Sequence, residues 1–201
     1  MKNIAVFCSG NGTNLQAIID AVKAGKLKVN IALVISDNKE AYALKRAEDA
    51  KIKNIFIDPT GFTKKADFEK EIIKNLEPEK IDLIVLAGFM RILSADFVRR
   101  FKNTIINIHP ALLPAFKGAH AIKDAFLYGV KVTGVSVHFV DEEMDHGPII
   151  LQRALEIEDA DTLESLEAKI HKIEHQLYPE AIRLFAEGKL KIEGRRVKIL
   201  S

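Results

Sequence analysis

The sequence predicts a doubly wound α/β domain with a mostly parallel sheet, extended toward its C-terminal end by further strands and a long helix. Three observations predict it. Short apolar runs alternate with stretches of helical periodicity. The runs are apolar throughout, as strands covered on both faces must be. A glycine-bearing turn, Gly10-Asn11-Gly12, follows the first run and opens the first helix.

The first strand covers residues 4–8. Leu15, Ile18, Ile19 and Val22 then recur at helical spacing until Gly25, a helix stop. Residues 29–35 form a second strand with residues 41–50 as its helix, and residues 54–57 a third strand with a helix over 64–75. Residues 81–87 are the strongest strand and run into Gly88-Phe89-Met90-Arg91; a fifth strand covers 104–108. Beyond residue 130 the texture changes. Residues 133–140 alternate apolar and polar, and 149–157 form another strand, so antiparallel pairing is expected there. Asp161-Thr162-Leu163-Glu164 resembles a capping box for a long helix with an apolar stripe of Leu163, Leu166, Ile170, Ile173 and Leu177. Pro179 predicts a kink or restart in that helix. Residues 190–200 form a hairpin about Glu193-Gly194.

At 201 residues the chain is expected to be a single domain over 1–201, with halves of about 1–100 and 101–201. The formal charge of +2, from 30 basic and 28 acidic residues spread along the chain, gives no reason to expect nucleic acid or an anionic membrane as partner. The basic run Arg195, Arg196 and Lys198 is short and reads as a solvated face. A single cysteine, Cys8, excludes an intramolecular disulfide and a cysteine-rich zinc site, and suits a reducing compartment. The first apolar run is too short for a signal peptide, and no run approaches the ~18 residues of a membrane span, so a cytoplasmic protein is expected.

Three segments carry candidate chemistry. In Gly10-Asn11-Gly12-Thr13-Asn14, glycines admit close backbone approach and the first helical amides lack internal partners, which makes either a phosphate site or a tight turn with a helix cap. It is neither a Walker loop nor the dinucleotide fingerprint, whose third glycine position holds Leu15; Asp37 stands where a ribose contact would fall. In Asn107-Ile108-His109-Pro110, alternation puts Asn107 and His109 on one side of the fifth strand at its carboxyl end. There they act as amide donor and as acid or base, or His109 is simply structural. In Asp141-Glu142-Glu143-Met144-Asp145-His146-Gly147-Pro148, Glu142 and Glu143 read as solvated, whereas Asp145, tucked against the Gly-Pro turn, is placed to hold a histidine charged. A fourth string, His171-Lys172-Ile173-Glu174-His175, matches a zinc-peptidase pattern. A catalytic zinc needs a third protein ligand, and the residues that follow offer none in context, so no metal is expected.

Taken together, these segments resemble the phosphoribosylglycinamide formyltransferases, folate-dependent enzymes of purine synthesis. The resemblance runs over almost the whole chain and rests on Ser9-Gly10-Asn11-Gly12-Thr13-Asn14-Leu15-Gln16, Leu86-Ala87-Gly88-Phe89-Met90-Arg91-Ile92-Leu93, Asn107-Ile108-His109-Pro110, Gly134-Val135-Ser136-Val137-His138-Phe139-Val140 and Asp145-His146-Gly147-Pro148-Ile149-Ile150. It implies a Rossmann-like formyltransferase fold and transfer of the formyl group of 10-formyltetrahydrofolate to the amine of glycinamide ribonucleotide, without a metal. It implies Asn107, His109 and Asp145 as the catalytic trio, and Gly12, Thr13, Asn14, His171 and Glu174 as contacts of the ribonucleotide. It implies Lys65, Met90, Arg91, Ile92, Leu93, Asn107 and the backbone of Val140, Asp141, Glu142, Glu143 and Met144 as folate contacts, and a monomer or homodimer.

Three positions depart from the family pattern. Lys64 and Lys65 stand where some relatives place an arginine toward the folate tail, His146 replaces a small residue beside the aspartate, and Lys117 stands where proline is common. Two other readings remain: a formyltetrahydrofolate hydrolase, whose usual extra N-terminal domain the chain has no room for, and a non-catalytic phosphoribosyl-ligand sensor. Methionyl-tRNA formyltransferase is longer and carries a basic RNA-binding domain that is not expected here.

Overall fold

Strand β1 (Lys2–Cys8) buries its last five residues almost wholly, as a strand covered on both faces must. It lies between β2 (Val29–Ser36) and β4 (Leu83–Leu86), and β3 (Asn54–Phe56) pairs with β2. All four run parallel, in the order β3-β2-β1-β4. The computed structural model describes residues 1–201, which divide into two compact units, Met1–Ile106 and Asn107–Ser201. In the first unit α1 (Thr13–Lys23), α2 (Tyr42–Asp49) and α3 (Lys65–Leu76) connect the successive strands, and α4 (Ala95–Arg100) follows β4. The register pairs Cys8 with Ser36 and Phe7 with Leu86, so the carboxyl ends of three strands finish level. That edge is where ligands are received in open α/β sheets.

The second unit begins within β5 (Ile105–His109) and continues through α5 (Ala121–Tyr128), β6 (Val132–Phe139), β7 (Ile149–Glu156), α6 (Leu163–Ala186), β8 (Leu190–Glu193) and β9 (Arg196–Ile199). Strands β6 and β7 are antiparallel, as the change of texture predicts, with a register shift at Val137/His138. The β8–β9 hairpin turns at Gly194-Arg195 and joins β7 through a parallel pairing of Ile149 with Arg196. Helix α6 turns Leu166, Ile170, Leu177, Tyr178, Ala181 and Ile182 inward.

Two expectations for α6 are corrected. The helix runs from Leu163 to Ala186 with Pro179 inside it, so it does not restart there. The buried stripe continues beyond the proline at Ala181, Ile182 and Leu184, and that burial outweighs the roughly 3 kcal/mol an interior proline costs. The cap is Thr162, whose hydroxyl accepts from the Ser165 amide while the Ser165 hydroxyl accepts from the Thr162 amide. Asp161 instead pairs with Lys169 at 2.8 Å. Helices α4 and α5 are short and carry no long apolar stripe, and the sequence reading does not single them out.

The loop from β6 to β7 depends on a missing side chain. A Cβ at Gly147 would lie 1.9 Å from the Phe139 carbonyl oxygen, a backbone atom that cannot swing away. We expect Gly147→Ala to lower stability by about 2 kcal/mol or more in thermal or urea unfolding. Gly10→Ala, where an added Cβ meets nothing within 4 Å, should stay within about 0.5 kcal/mol of wild type.

Candidate active site

In the first unit, the turn after β1 is shaped by α2. Gly12 holds φ 73°, and a Cβ there would stand 2.7 Å from the Ala43 methyl, so only glycine lets the turn pack this closely. Arg46 fastens the turn: Nε donates to the Asn11 carbonyl (2.9 Å), Nη2 to the Asn11 side chain (2.8 Å) and Nη1 to Gln16 (3.1 Å). The first helical bond runs from the Gln16 amide to the Gly12 carbonyl. The amides of Thr13, Asn14 and Leu15 precede it, where a helix receives an anion.

Asp37 is engaged differently from the ribose contact its position calls to mind. Its carboxylate accepts from the Ser9 hydroxyl (2.5 Å) and from Arg91 Nε (2.7 Å), and the Ser9 oxygen accepts from the Met90 amide (2.8 Å). The carboxylate thus ties the turn after β1 to the segment after β4. Met90, Arg91, Ile92 and Leu93 form one wall of a cavity of about 440 Å³ in this unit. Both Lys64 and Lys65 line it, as do Phe62, Phe68 and Glu69, which sequence reasoning missed. Arg91 stacks over the Phe68 ring at 5.6 Å, and Glu69 is buried, accepting from the Ser94 amide at 2.6 Å. The cavity therefore has apolar faces, a cationic rim and one buried carboxylate.

In the second unit, β5 places Asn107 and His109 on one side, and the loop after β6 brings Asp145 to them. Asp145 Oδ2 lies 3.5 Å from His109 Nδ1 and accepts from the Gly118 amide at 2.9 Å. Asp145 Oδ1 accepts from Asn107 Nδ2 at 3.4 Å. His109 Nε2 donates to the Phe116 carbonyl at 2.7 Å. Both imidazole nitrogens thus face oxygen acceptors. Burial pushes the Asp145 carboxyl up. The His138 imidazole, the Gly118 amide and the field of His109 outweigh it and hold the group at about 2.

His138, for which the sequence predicts no role, completes the cluster. It is buried, its Nδ1 faces the Phe139 carbonyl at 2.8 Å and its Nε2 lies 3.3 Å from Asn107 Nδ2. The same Nε2 lies 3.8 Å from Asp145 Oδ1, so a proton on it faces the carboxylate. The readable signal is that Ser136 and His138 are polar residues facing inward on one side of β6. Buried Ser136 is the other half of it: its hydroxyl donates to the Ala111 carbonyl and accepts from the Leu113 amide, fixing the chain just after His109. On α6, His171 Nδ1 bonds Glu174 at 2.8 Å, and this bond with a buried carboxylate raises the His171 pKa. The His171 and His175 rings lie nearly parallel, 6.4 Å apart, and no group of three or more histidine, cysteine or acidic residues is arranged around a metal position. Val140 and Asp141 are half-buried, and Glu142, Glu143 and Met144 are exposed.

The sequence profile described as "Formyl transferase" matches residues 2–182. The chain belongs to the formyl transferase family. Within it, the chain groups with the phosphoribosylglycinamide formyltransferases. It is 46% identical to the phosphoribosylglycinamide formyltransferase of Bacillus subtilis over 183 residues, 91% of this chain and 94% of that protein. It superimposes on glycinamide ribonucleotide transformylase 1 from Symbiobacterium toebii with a TM-score of 0.97 at 47% identity, covering 100% of this chain and 95% of that one. A formyltetrahydrofolate deformylase from Pseudomonas syringae also superimposes (TM-score 0.92), but at 25% identity and over 66% of its own length.

The Asp145 carboxyl is held below its unfolded-state value, so its contribution to stability is complete above pH 4 or so and is lost as the pH falls toward about 2. At pH 7 that contribution is roughly 2 kcal/mol. Urea unfolding of wild type and Asp145→Asn should show a gap that closes between about pH 4 and pH 2. A gap that stays constant over that range would count against an ionised Asp145.

Proposed function

We propose that this chain transfers the formyl group of 10-formyltetrahydrofolate to the amine of glycinamide ribonucleotide, giving formylglycinamide ribonucleotide and tetrahydrofolate in purine synthesis, with residues 1–201 acting as one catalytic domain in the cytoplasm. The observation that carries the reading is the Asn107, His109 and Asp145 cluster in a chain of this family. The amine nitrogen attacks the formyl carbon, and the carbonyl electron pair moves onto oxygen. Asn107 and the His109 imidazolium stabilise that oxyanion, each donor contributing about 3 kcal/mol in the transition state. The intermediate collapses as the bond from carbon to the folate nitrogen breaks. The proton lost by the amine reaches that nitrogen, with Asp145 keeping the imidazole charged through the transfer. The Phe116 carbonyl, 2.7 Å from Nε2, holds the acceptor position that the oxyanion takes over.

The amides of Gly12, Thr13 and Asn14 receive the ribonucleotide phosphate, and His171 and Glu174 its ribose and glycinamide end. Met90, Arg91, Ile92 and Leu93 line the folate site with Lys64 and Lys65 at its tail, and the backbone of Val140–Met144 closes on the pterin. A flat heteroaromatic ring needs apolar walls and a few backbone hydrogen bonds, and the Met90–Leu93 wall supports that assignment. The chain acts as a monomer or a homodimer. The hydrolase alternative is the less favoured, since identity to the deformylase is about half that to the transferases.

A formyl-transfer assay with and without glycinamide ribonucleotide decides between them. Tetrahydrofolate should appear only when the ribonucleotide is present; formate released at a comparable rate in its absence would overturn the transferase reading. His109→Ala should cut transfer by about 10³-fold while the Kd values of both ligands stay within about threefold. Wild-type protein that binds both ligands and never turns over would make the chain a sensor.

A further inference from the structure

The loop between β6 and β7 is fastened at its two ends. His146 Nδ1 lies 2.7 Å from Asp141 Oδ2, joining the residue just after the acidic stretch to its first. Arg195, in the turn of the β8–β9 hairpin, grips the same histidine twice: Nη1 lies 2.9 Å from His146 Nε2, and Nη2 donates to the His146 carbonyl at 2.6 Å. Nη1 also lies 3.3 Å from His146 Nδ1, so the guanidinium rests against the imidazole ring while its other arm holds the backbone carbonyl. His146 thus stands between the Arg195 guanidinium and the Asp141 carboxylate.

The fold brings the hairpin here. Strand β9 pairs with β7 at Ile149 and Arg196, three residues beyond His146, so the turn residue faces the loop. The family profile ends at residue 182, so the hairpin lies outside the matched stretch. Arg195 is exposed, as its basic run predicts, and it is also engaged by His146. Next to His146, Asp145 holds φ 49°, a left-handed conformation a non-glycine residue keeps only when its surroundings enforce it.

We propose that Arg195 is a positioning residue for formyl transfer, holding the 141–146 loop through His146 and Asp141 in the shape that closes on the pterin. It rests on the reading above, in which the Val140–Met144 backbone contacts the folate. Because the clasp holds this loop alone, it sets affinity for the folate cosubstrate and leaves that for the ribonucleotide unchanged. His146 and Asp141 are each about one-third exposed (35% and 34%), so the effect is moderate rather than all-or-none.

Steady-state kinetics on Arg195→Ala test the role. The folate KM should rise about five- to thirtyfold, with the ribonucleotide KM within about twofold and kcat within about threefold of wild type. Arg195→Lys, which can make only one of the two contacts, should fall between, and Arg196→Ala on the same hairpin should match wild type. His146→Ala should raise the folate KM similarly, and the double variant no further. A hairpin that served stability alone would lower the melting temperature and leave the folate KM in place. Hydrogen exchange, read without turnover, should show the 141–146 amides of Arg195→Ala exchanging about tenfold faster while those of β8 and β9 do not. An unchanged folate KM in Arg195→Ala, against a wild type that saturates normally, overturns the role given to Arg195. Wild type with no saturable folate dependence overturns the functional reading itself and, with it, that role.

Discussion

The second unit is organised around one carboxylate. Asp145 is nearly enclosed, its side chain one-tenth exposed, and a charge in that position is tolerable only if it is met from several sides. It is met by the Gly118 amide, by Asn107 and by two histidines, one from β5 and one from β6. Each partner is itself held. His109 is tied to the Phe116 carbonyl and His138 to the Phe139 carbonyl, while Ser136 pins the chain after His109. The consequence for chemistry is that the charge on Asp145 is set by backbone geometry as much as by histidine.

The first unit meets a different requirement. There the ligand groups expected are anions and a flat ring, and the structure answers with backbone and cations rather than with an acid–base pair. Gly12 presses against Ala43, Arg46 grips Asn11, and Asp37 joins Ser9 to Arg91. Asp37 illustrates why position alone misleads. At the end of the second strand of a doubly wound fold an acid is commonly read as a ribose contact, but a neighbouring arginine and serine satisfy this one internally.

How far the sequence could be read depended on the range of the interactions involved. Strands buried on both faces declare themselves in any short window, and β1, β2 and β4 were legible for that reason; so was the hairpin turn at Gly194. The length of α6 was obscured because the burial that carries it past Pro179, at Ala181, Ile182 and Leu184, depends on elements distant in sequence, and a short window does not show it. Asn107, His109 and Asp145 were legible only as members of a family pattern, since their spacing does not show that residue 145 returns to residue 109. His138 carried a local signal, a polar residue on the inward side of a strand, but a buried histidine is more often structural than functional. The 10-residue cluster lining the cavity was half legible, because Phe62, Phe68 and Glu69 come from α3 and the turn before it, remote in sequence from Met90.

The string His171-Lys172-Ile173-Glu174-His175 shows what decides between two readings of one motif. A helix always brings positions three and four apart to one face, so two histidines and a glutamate will converge whenever the letters allow it. A zinc site requires more: both histidines must turn a nitrogen to one point, with a third ligand arriving from elsewhere. Here the His171 and His175 rings lie face to face rather than converging, and Glu174, buried on the inward side of α6, takes the proton-bearing nitrogen of His171 for itself. A carboxylate so placed is shielded from solvent but still paired with a half-exposed histidine. On the reading proposed above, a carboxylate so placed accepts from an amine or hydroxyl group of the ribonucleotide, a role that asks for no third converging ligand as a metal ion would.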